Sequence, residues 1–214
     1  MGRRAPALVA DEGTLVTPLL AERVSRLTLP IRTRRLELVP PRLGHVGALG
    51  ALLGDPSVAR WTLYIPHPYS AIQARKDVLR AQDWRRRGRG VSRLVVRRAD
   101  SNLVGGVVLY PLDERNASAE VGVWLGRPFR HMGYAEEAVQ ALVEVAFERL
   151  GLHRVQAIVF AENASAIRLL RRCGFRYEGR ARDEARKNGV WQSTRRFARL
   201  ATDRVKTRRA SRTA

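Results

Sequence analysis

The segment from residue 119 to residue 151 constrains the fold more than any other, because a strand, a glycine-bearing loop and a long helix follow one another there without a break. From Gly133 to Leu150 the apolar residues Ala135, Ala138, Val139, Leu142, Val143, Ala146 and Phe147 recur at helical spacing, and Gly151 stops the run. A one-sided apolar stripe of that length is stable only against a second layer. The strand ahead of it, Ala119 to Leu125, supplies one. The joint reads Gly126-Arg127-Pro128-Phe129-Arg130-His131-Met132-Gly133-Tyr134-Ala135. A helix start carries unpaired backbone N–H groups and the positive end of the helix dipole, so it receives an anion without needing a particular side chain. Gly133 allows a close backbone approach or a left-handed turn, Ala135 is small for the same steric reason, and Arg130 adds charge. Taken alone, the loop reads as a plain structural turn sooner than as an anion cradle.

The other elements fall around this unit. Leu36 to Val39 alternates and ends at the Pro40-Pro41 pair, the signature of a strand. Val46 to Leu53 has helical spacing with Gly54 as its stop, Asp55 caps a turn begun by Pro56, and Ser70 caps a helix reaching about Arg87. Strands are expected at Val91 to Arg97 and Leu103 to Tyr110, joined by an Asp100-Ser101-Asn102 turn, with Pro111 to Ser118 as a polar connection. After the long helix come a strand at Val155 to Phe160, a helix at Ala164 to Cys173, and two strands at about 175–185 and 190–200 turned by Lys187-Asn188-Gly189. This order predicts a single α/β domain over residues 30–200: a mixed, mostly antiparallel sheet with helices on both faces. Residues 1–29 read as an N-terminal extension, with Thr17 to Leu29 as a short amphipathic arm toward a partner subunit. Residues 201–214 read as a basic, disordered tail.

The chain has a formal net charge of +20, carried almost wholly by arginine. Such a balance attracts polyanions: RNA, the ribosome surface or an anionic cofactor. Asp11 and Glu12 interrupt the region where a signal peptide would be apolar, no stretch is apolar enough for a transmembrane helix, and the lone Cys173 has no partner for an internal disulfide; a cytoplasmic location is expected. The histidines and the cysteine show no metal-ligand spacing, so no metal is expected.

Arg130-x-x-Gly133-x-Ala135 resembles the Arg/Gln-x-x-Gly-x-Gly/Ala motif of the GNAT N-acetyltransferase superfamily. Four further segments resemble its RimJ/RimL-type branch, the ribosomal-protein N-terminal acetyltransferases: Thr33-Arg34-Arg35-Leu36; Ala119-Glu120-Val121-Gly122-Val123-Trp124-Leu125; Asn163 through Arg168, Leu170 and Gly174-Phe175; and Asn188-Gly189-Val190-Trp191. The resemblance runs in order over residues 31–200. It implies the GNAT acyl-CoA N-acyltransferase fold and acetyl-CoA as cosubstrate. The pantetheine arm would then lie between the splayed strands 119–126 and 154–160, and a bulge in the first would turn amides of Val123, Trp124 and Leu125 toward the thioester oxygen. The pyrophosphate would rest on the amides of Arg130, His131, Met132, Gly133, Tyr134 and Ala135. Asn163 matches an asparagine that contacts the cofactor arm and also suits a helix N-cap. The branch's serine, three residues after it, is absent, since Ala166 stands there; Ser165 is the nearest substitute. Leu170 occupies the place where other members carry an acid tyrosine, which leaves the acid to Tyr134, Tyr177 or water. Glu120 is the candidate base for the amine, or else a carboxylate paired with one of the many arginines.

The acceptor stays open. A protein N-terminus follows from the branch, a small amine such as an antibiotic or metabolite is the second reading, and a basic RNA- or ribosome-associated module with a degenerate acetyl-CoA site is the third. By the resemblance, Trp61, Tyr64, His67 and Tyr69 fall in the family's substrate-side loop, where the aromatics either wall an acceptor pocket or pack in the core. A homodimer is expected by analogy with the branch.

Overall fold

The computed structural model describes residues 19–203. Eight strands form one sheet: β1 (Ile31–Arg32), β2 (Leu36–Val39), β3 (Val91–Arg97), β4 (Leu103–Asp113), β5 (Ser118–Leu125), β6 (Arg154–Phe160), β7 (Arg176–Lys187) and β8 (Val190–Leu200), in the spatial order β1-β2-β3-β4-β5-β6-β8-β7. Every neighbouring pair is antiparallel except β5 with β6. The helices are α1 (Leu20–Ser25), α2 (Val46–Leu53), α3 (Pro56–Ala59), α4 (Ala71–Arg86), α5 (Tyr134–Glu148) and α6 (Ala164–Arg172).

Strand alternation sends the apolar side chains to two cores. Leu36, Leu38, Val91, Val95, Leu109, Val121, Val155 and Phe197 meet α5 and α6 on one face. Val39, Leu94, Leu103 and Trp124 meet α2 and α4 on the other. Ala138, Val139, Leu142, Val143 and Ala146 of α5 are fully buried. Each leucine or valine of that stripe contributes roughly 1.5–3 kcal/mol, which makes α5 the main anchor of its layer. The caps read from sequence are present: Asp55 accepts the Ser57 amide at 2.8 Å and Ser70 accepts the Gln73 amide at 3.1 Å. At the β7–β8 hairpin, Asn188 and Gly189 both have positive φ, at 49° and 82°, as a type I′ turn requires.

Two expectations are corrected. The N-terminal segment is part of the domain from Leu20 on, because Leu20, Val24 and Leu27 are buried in the main core rather than presented to a partner. The Leu20 amide donates to Glu114 at 2.7 Å and Arg23 donates to the Leu150 carbonyl at 3.0 Å, which ties α1 to the sheet and to the end of α5. Strand β4 also runs past Pro111 to Asp113 instead of ending at Tyr110. Its register against β5 shifts between Leu109 and Leu112, so Pro111, which has no N–H to donate, sits where the ladder is already interrupted. Residues 1–18 and 204–214, with most of the expected extension and basic tail, lie outside the described residues. The first three tail residues are held, Asp203 accepting the Leu200 amide at 2.9 Å and pairing with Arg176 at 3.0 Å.

Candidate functional site

The only parallel pair in the sheet comes apart. Strands β5 and β6 are paired at Ser118–Arg154, Ala119–Val155 and Glu120–Gln156 and nowhere beyond. Each keeps its other neighbour to the end, β5 with β4 as far as Leu125 and β6 with β8 as far as Phe160. The result is a wedge-shaped gap whose walls are strand backbone. Gly122 and Trp124 lie opposite Val108 and Gly106, and the Gly126 amide continues the same ladder to the Val104 carbonyl at 3.0 Å. By alternation, the amides of Val123 and Leu125 point away from β4 and into the gap.

This arrangement corrects the expected set of amides. Trp124 directs its backbone to β4, and its indole packs over Gly106, where an added Cβ would fall 2.6 Å from the ring nitrogen. The bulge expected in β5 is instead in β4, at Tyr110–Pro111, across from Glu120.

The loop from Gly126 to Ala135 closes the wide end of the gap. A short 3-10 turn, Arg127–Phe129, begins with Pro128 near its start. Arg130 is extended, and its Nε donates back to the Leu125 carbonyl at 3.2 Å. His131 and Gly133 are then left-handed, with φ of 64° and 78°. Glu137 makes the first amide bond of α5, to the Gly133 carbonyl at 3.2 Å. The amides of His131, Met132, Gly133, Tyr134, Ala135 and Glu136 have no protein acceptor among the described residues. Left-handed residues within such a run gather N–H groups into a concave anion receptor, and the α5 dipole adds to it. Acetyl-CoA fits this cradle: six free donors, an exposed Gly133, and strand amides in the adjoining gap.

A brace lies beneath the loop. Glu137, in the first turn of α5, accepts the Thr33 hydroxyl at 2.6 Å, the Arg35 amide at 2.8 Å and the Arg35 Nε at 2.7 Å. Arg35 also donates to the Met132 carbonyl at 2.8 Å and stacks over the Tyr134 ring at 4.8 Å. Burial acts to raise the Glu137 carboxyl, but the bonds from Thr33 and Arg35 outweigh it and hold the group below its ordinary value. The signal was an acidic residue at the start of α5 together with Thr33-Arg34-Arg35, two segments that are about a hundred residues apart in sequence and meet only in the fold.

Glu120 lies at the last paired rung, just where the strands part. It is half-buried and has neither an ion pair nor a hydrogen-bonded side-chain partner among the described residues. Burial pushes its carboxyl up to about 7, against the opposing charge of Arg196 and with the help of Glu184. Arg196 is itself paired with Glu184, which also accepts the Thr194 hydroxyl.

Asn163 caps α6, accepting the Ala166 amide at 3.1 Å. Ser165 is exposed and receives only Arg168, at 3.4 Å. Tyr134 is buried in the main core, whereas Tyr177 is half exposed against Phe197. Cys173 is fully buried, and burial pushes its thiol up to about 12. Of the aromatics expected to wall an acceptor pocket, Tyr69 is a core residue bonded to Asp77 at 2.8 Å, while Trp61 and Tyr64 are exposed. The β7–β8 hairpin joins them: Lys187 donates to the Thr62 carbonyl, and Trp191 beside it is exposed.

Comparison with known proteins agrees with this geometry. Residues 35–176 match the acetyltransferase (GNAT) domain family, so the chain belongs to the GNAT acetyltransferases. It is 31% identical over 157 residues to the uncharacterized N-acetyltransferase p20 of Bacillus licheniformis, covering 73% of this chain and 88% of that one. YdaF of Bacillus subtilis, a candidate ribosomal N-acetyltransferase by name, is 31% identical over 134 residues, 62% of this chain and 72% of that one. Among solved structures, a RimL ribosomal L7/L12 alpha-N-protein acetyltransferase in complex with coenzyme A superposes with a TM-score of 0.75 at 22% identity, covering 80% of this chain and 97% of that one. Within the family the chain therefore sides with the RimJ/RimL-type branch. It is an N-acetyltransferase with acetyl-CoA as its cosubstrate. No helix among the described residues is long and apolar enough to cross a membrane.

Proposed function

We propose that this enzyme acetylates a protein N-terminal α-amine of the ribosomal-protein type, in the cytoplasm, by direct attack of the amine on the thioester. The observation that carries the chemistry is Glu120: a carboxylate without a partner, held near neutrality by burial, at the point where β5 and β6 separate. A base with that pKa takes a proton from an ammonium group efficiently at pH 7. The neutral nitrogen forms its bond to the acetyl carbon, the adduct gives its second nitrogen proton to water as the carbon–sulfur bond breaks, and the departing thiolate takes a proton from water in turn. The amides of Val123 and Leu125 meet the oxyanion that develops between these events. The amides of His131 through Glu136 hold the pyrophosphate, with Arg130 serving chiefly to fasten the loop to Leu125. Asn163 and Ser165 flank the cofactor arm from α6, Asn163 while capping the helix.

A protein terminus is favoured over a polycation by charge. The acid beside Glu120, Glu184, is taken up by Arg196 and Thr194, and a net charge of +20 repels a polyamine while drawing the enzyme to an anionic particle such as the ribosome. The exposed Trp61, Tyr64 and Trp191 offer a surface that an extended peptide can cross. The test is thiol release from acetyl-CoA across N-terminal peptides and small amines. Turnover of peptides beginning with alanine or serine, well above that of spermidine or free amino acids, is expected; the reverse order overturns the acceptor assignment.

A further inference from the structure

A second cation-rich feature lies away from the acetyl-CoA gap, at the other side of the sheet. Strand β2 stops at Val39, ahead of Pro40-Pro41, and Val39 pairs with Leu94. Residues 91–93 of β3 therefore extend beyond their neighbour and leave a notch, closed on one side by α4 and on another by the chain after α1. Arg42, Arg85, Arg86 and Arg93 line it, with no carboxylate among the lining residues.

Arg93 is the informative member. It stands at an inward-facing position of β3, is only 1% exposed, and has no ion-pair partner among the described residues. Two of its nitrogens are satisfied by carbonyls, of Leu27 and of Ser92, while its Nε is buried without any partner. Burial, with the nearby cations Arg85 and Arg149 adding to it, pushes the guanidinium down to about 10. Elsewhere in the notch, Arg85 reaches the Ser25 carbonyl at 3.2 Å, Arg86 pairs loosely with Asp83 at 3.5 Å, and Gln82 donates to the Pro41 carbonyl at 3.2 Å. A buried cation without a counter-charge is costly, and neighbouring cations add to the cost, unless an anion completes the site.

We propose that this notch binds a phosphate-type oxyanion, either free or as the phosphoryl group of a nucleotide. Guanidinium forks match the several oxygens of phosphate better than they match a single carboxylate, and four arginines line this one notch. None of the residues lining the notch belongs to the gap or the loop that holds acetyl-CoA.

The experiment uses the full chain saturated with acetyl-CoA, so that the pyrophosphate loop is already filled. Titration with inorganic phosphate is followed by calorimetry and thermal melting, against sodium chloride at matched ionic strength, with AMP as a parallel arm. Phosphate should raise the Tm beyond the chloride control. The Arg42→Gln/Arg85→Gln double variant should weaken phosphate binding about tenfold or more, with acetyl-CoA affinity unchanged. Tighter binding of AMP than of phosphate assigns the site to a nucleotide, and the reverse assigns it to the free ion. Arg93→Met should melt no lower than wild type without phosphate, since it removes an unpaired buried charge, and should lose the phosphate response. If that variant fails to fold, the double variant still decides. No phosphate effect beyond chloride, or a double variant that binds phosphate like wild type, overturns the proposal.

Discussion

The two sides of the proposed active site are built from different materials. The donor side is backbone: two parting strands, two left-handed residues and six unpaired amides at the head of α5. The acceptor side we propose is side chain: Trp61, Tyr64 and Trp191, all exposed, with Lys187 donating to the Thr62 carbonyl beside them. Backbone amides recognise a phosphate whatever residues carry them, so the donor side reads one invariant ligand. Exposed side chains can be exchanged without disturbing the sheet, so specificity for the acceptor is free to vary while chemistry stays constant.

The largest expected effect tests the backbone side. Gly133→Glu forces a side chain into a φ of 78° with its Cβ 3.1 Å from Arg35 Nη2, and adds an anion at the phosphate cradle. Loss of measurable acetyl-CoA binding by calorimetry is expected; a retained Kd would break the assignment of the loop. Glu120→Gln comes next. It should lower kcat by about a hundredfold or more, leave acetyl-CoA affinity intact, and remove the rise of the rate through pH about 7. Its stability carries a sign of its own. A carboxyl raised in the folded state from 4.5 to about 7 makes wild type lose stability as pH climbs through that window, and the glutamine variant should not show that loss in pH-dependent melts.

On the side-chain half, Trp61→Ala with Tyr64→Ala should raise KM for a peptide acceptor about tenfold, the scale of one or two lost aromatic contacts, while acetyl-CoA binding holds. A matching loss of acetyl-CoA binding would show that the two halves are not separable. The smallest effect is expected at the brace. Glu137→Gln should cost about 1–3 kcal/mol by weakening the bonds to Thr33 and Arg35. Because the native carboxyl is held below its ordinary value, that contribution is present at neutral pH and fades as pH falls through its folded value.

The features legible in the sequence were those decided locally. The α5 stripe, the caps at Asp55, Ser70 and Asn163, and the Asn188-Gly189 turn each depend on neighbours a few residues away, and each is present. What depended on distant pairing was missed or misplaced. The bulge moved from β5 to β4 because Pro111 weakens the ladder from the opposite strand. Trp124 left the amide set because parity against Gly106, not residue type, decides which way a strand amide points. Leu20, Val24 and Leu27 looked like a loose arm because the surface they cover is assembled from the sheet and α5. The isolation of Glu120 could not be read either: in a chain so rich in arginine, pairing is the default expectation, and only the fold shows Arg196 committed to Glu184.

The three rungs joining β5 to β6 have a mechanical consequence. They make the sheet two plates, five strands and three, hinged at one end and open at the other, with α5 laid across the back. A molecule seated between the plates acts as a clasp. Its arrival and departure in each turnover should tighten and loosen the smaller plate as a unit. Hydrogen exchange at Ile158 and Phe160, whose amides face the opening, should slow on binding coenzyme A far more than exchange in β3 or β4, and the protein's resistance to unfolding should then follow the supply of its own cosubstrate.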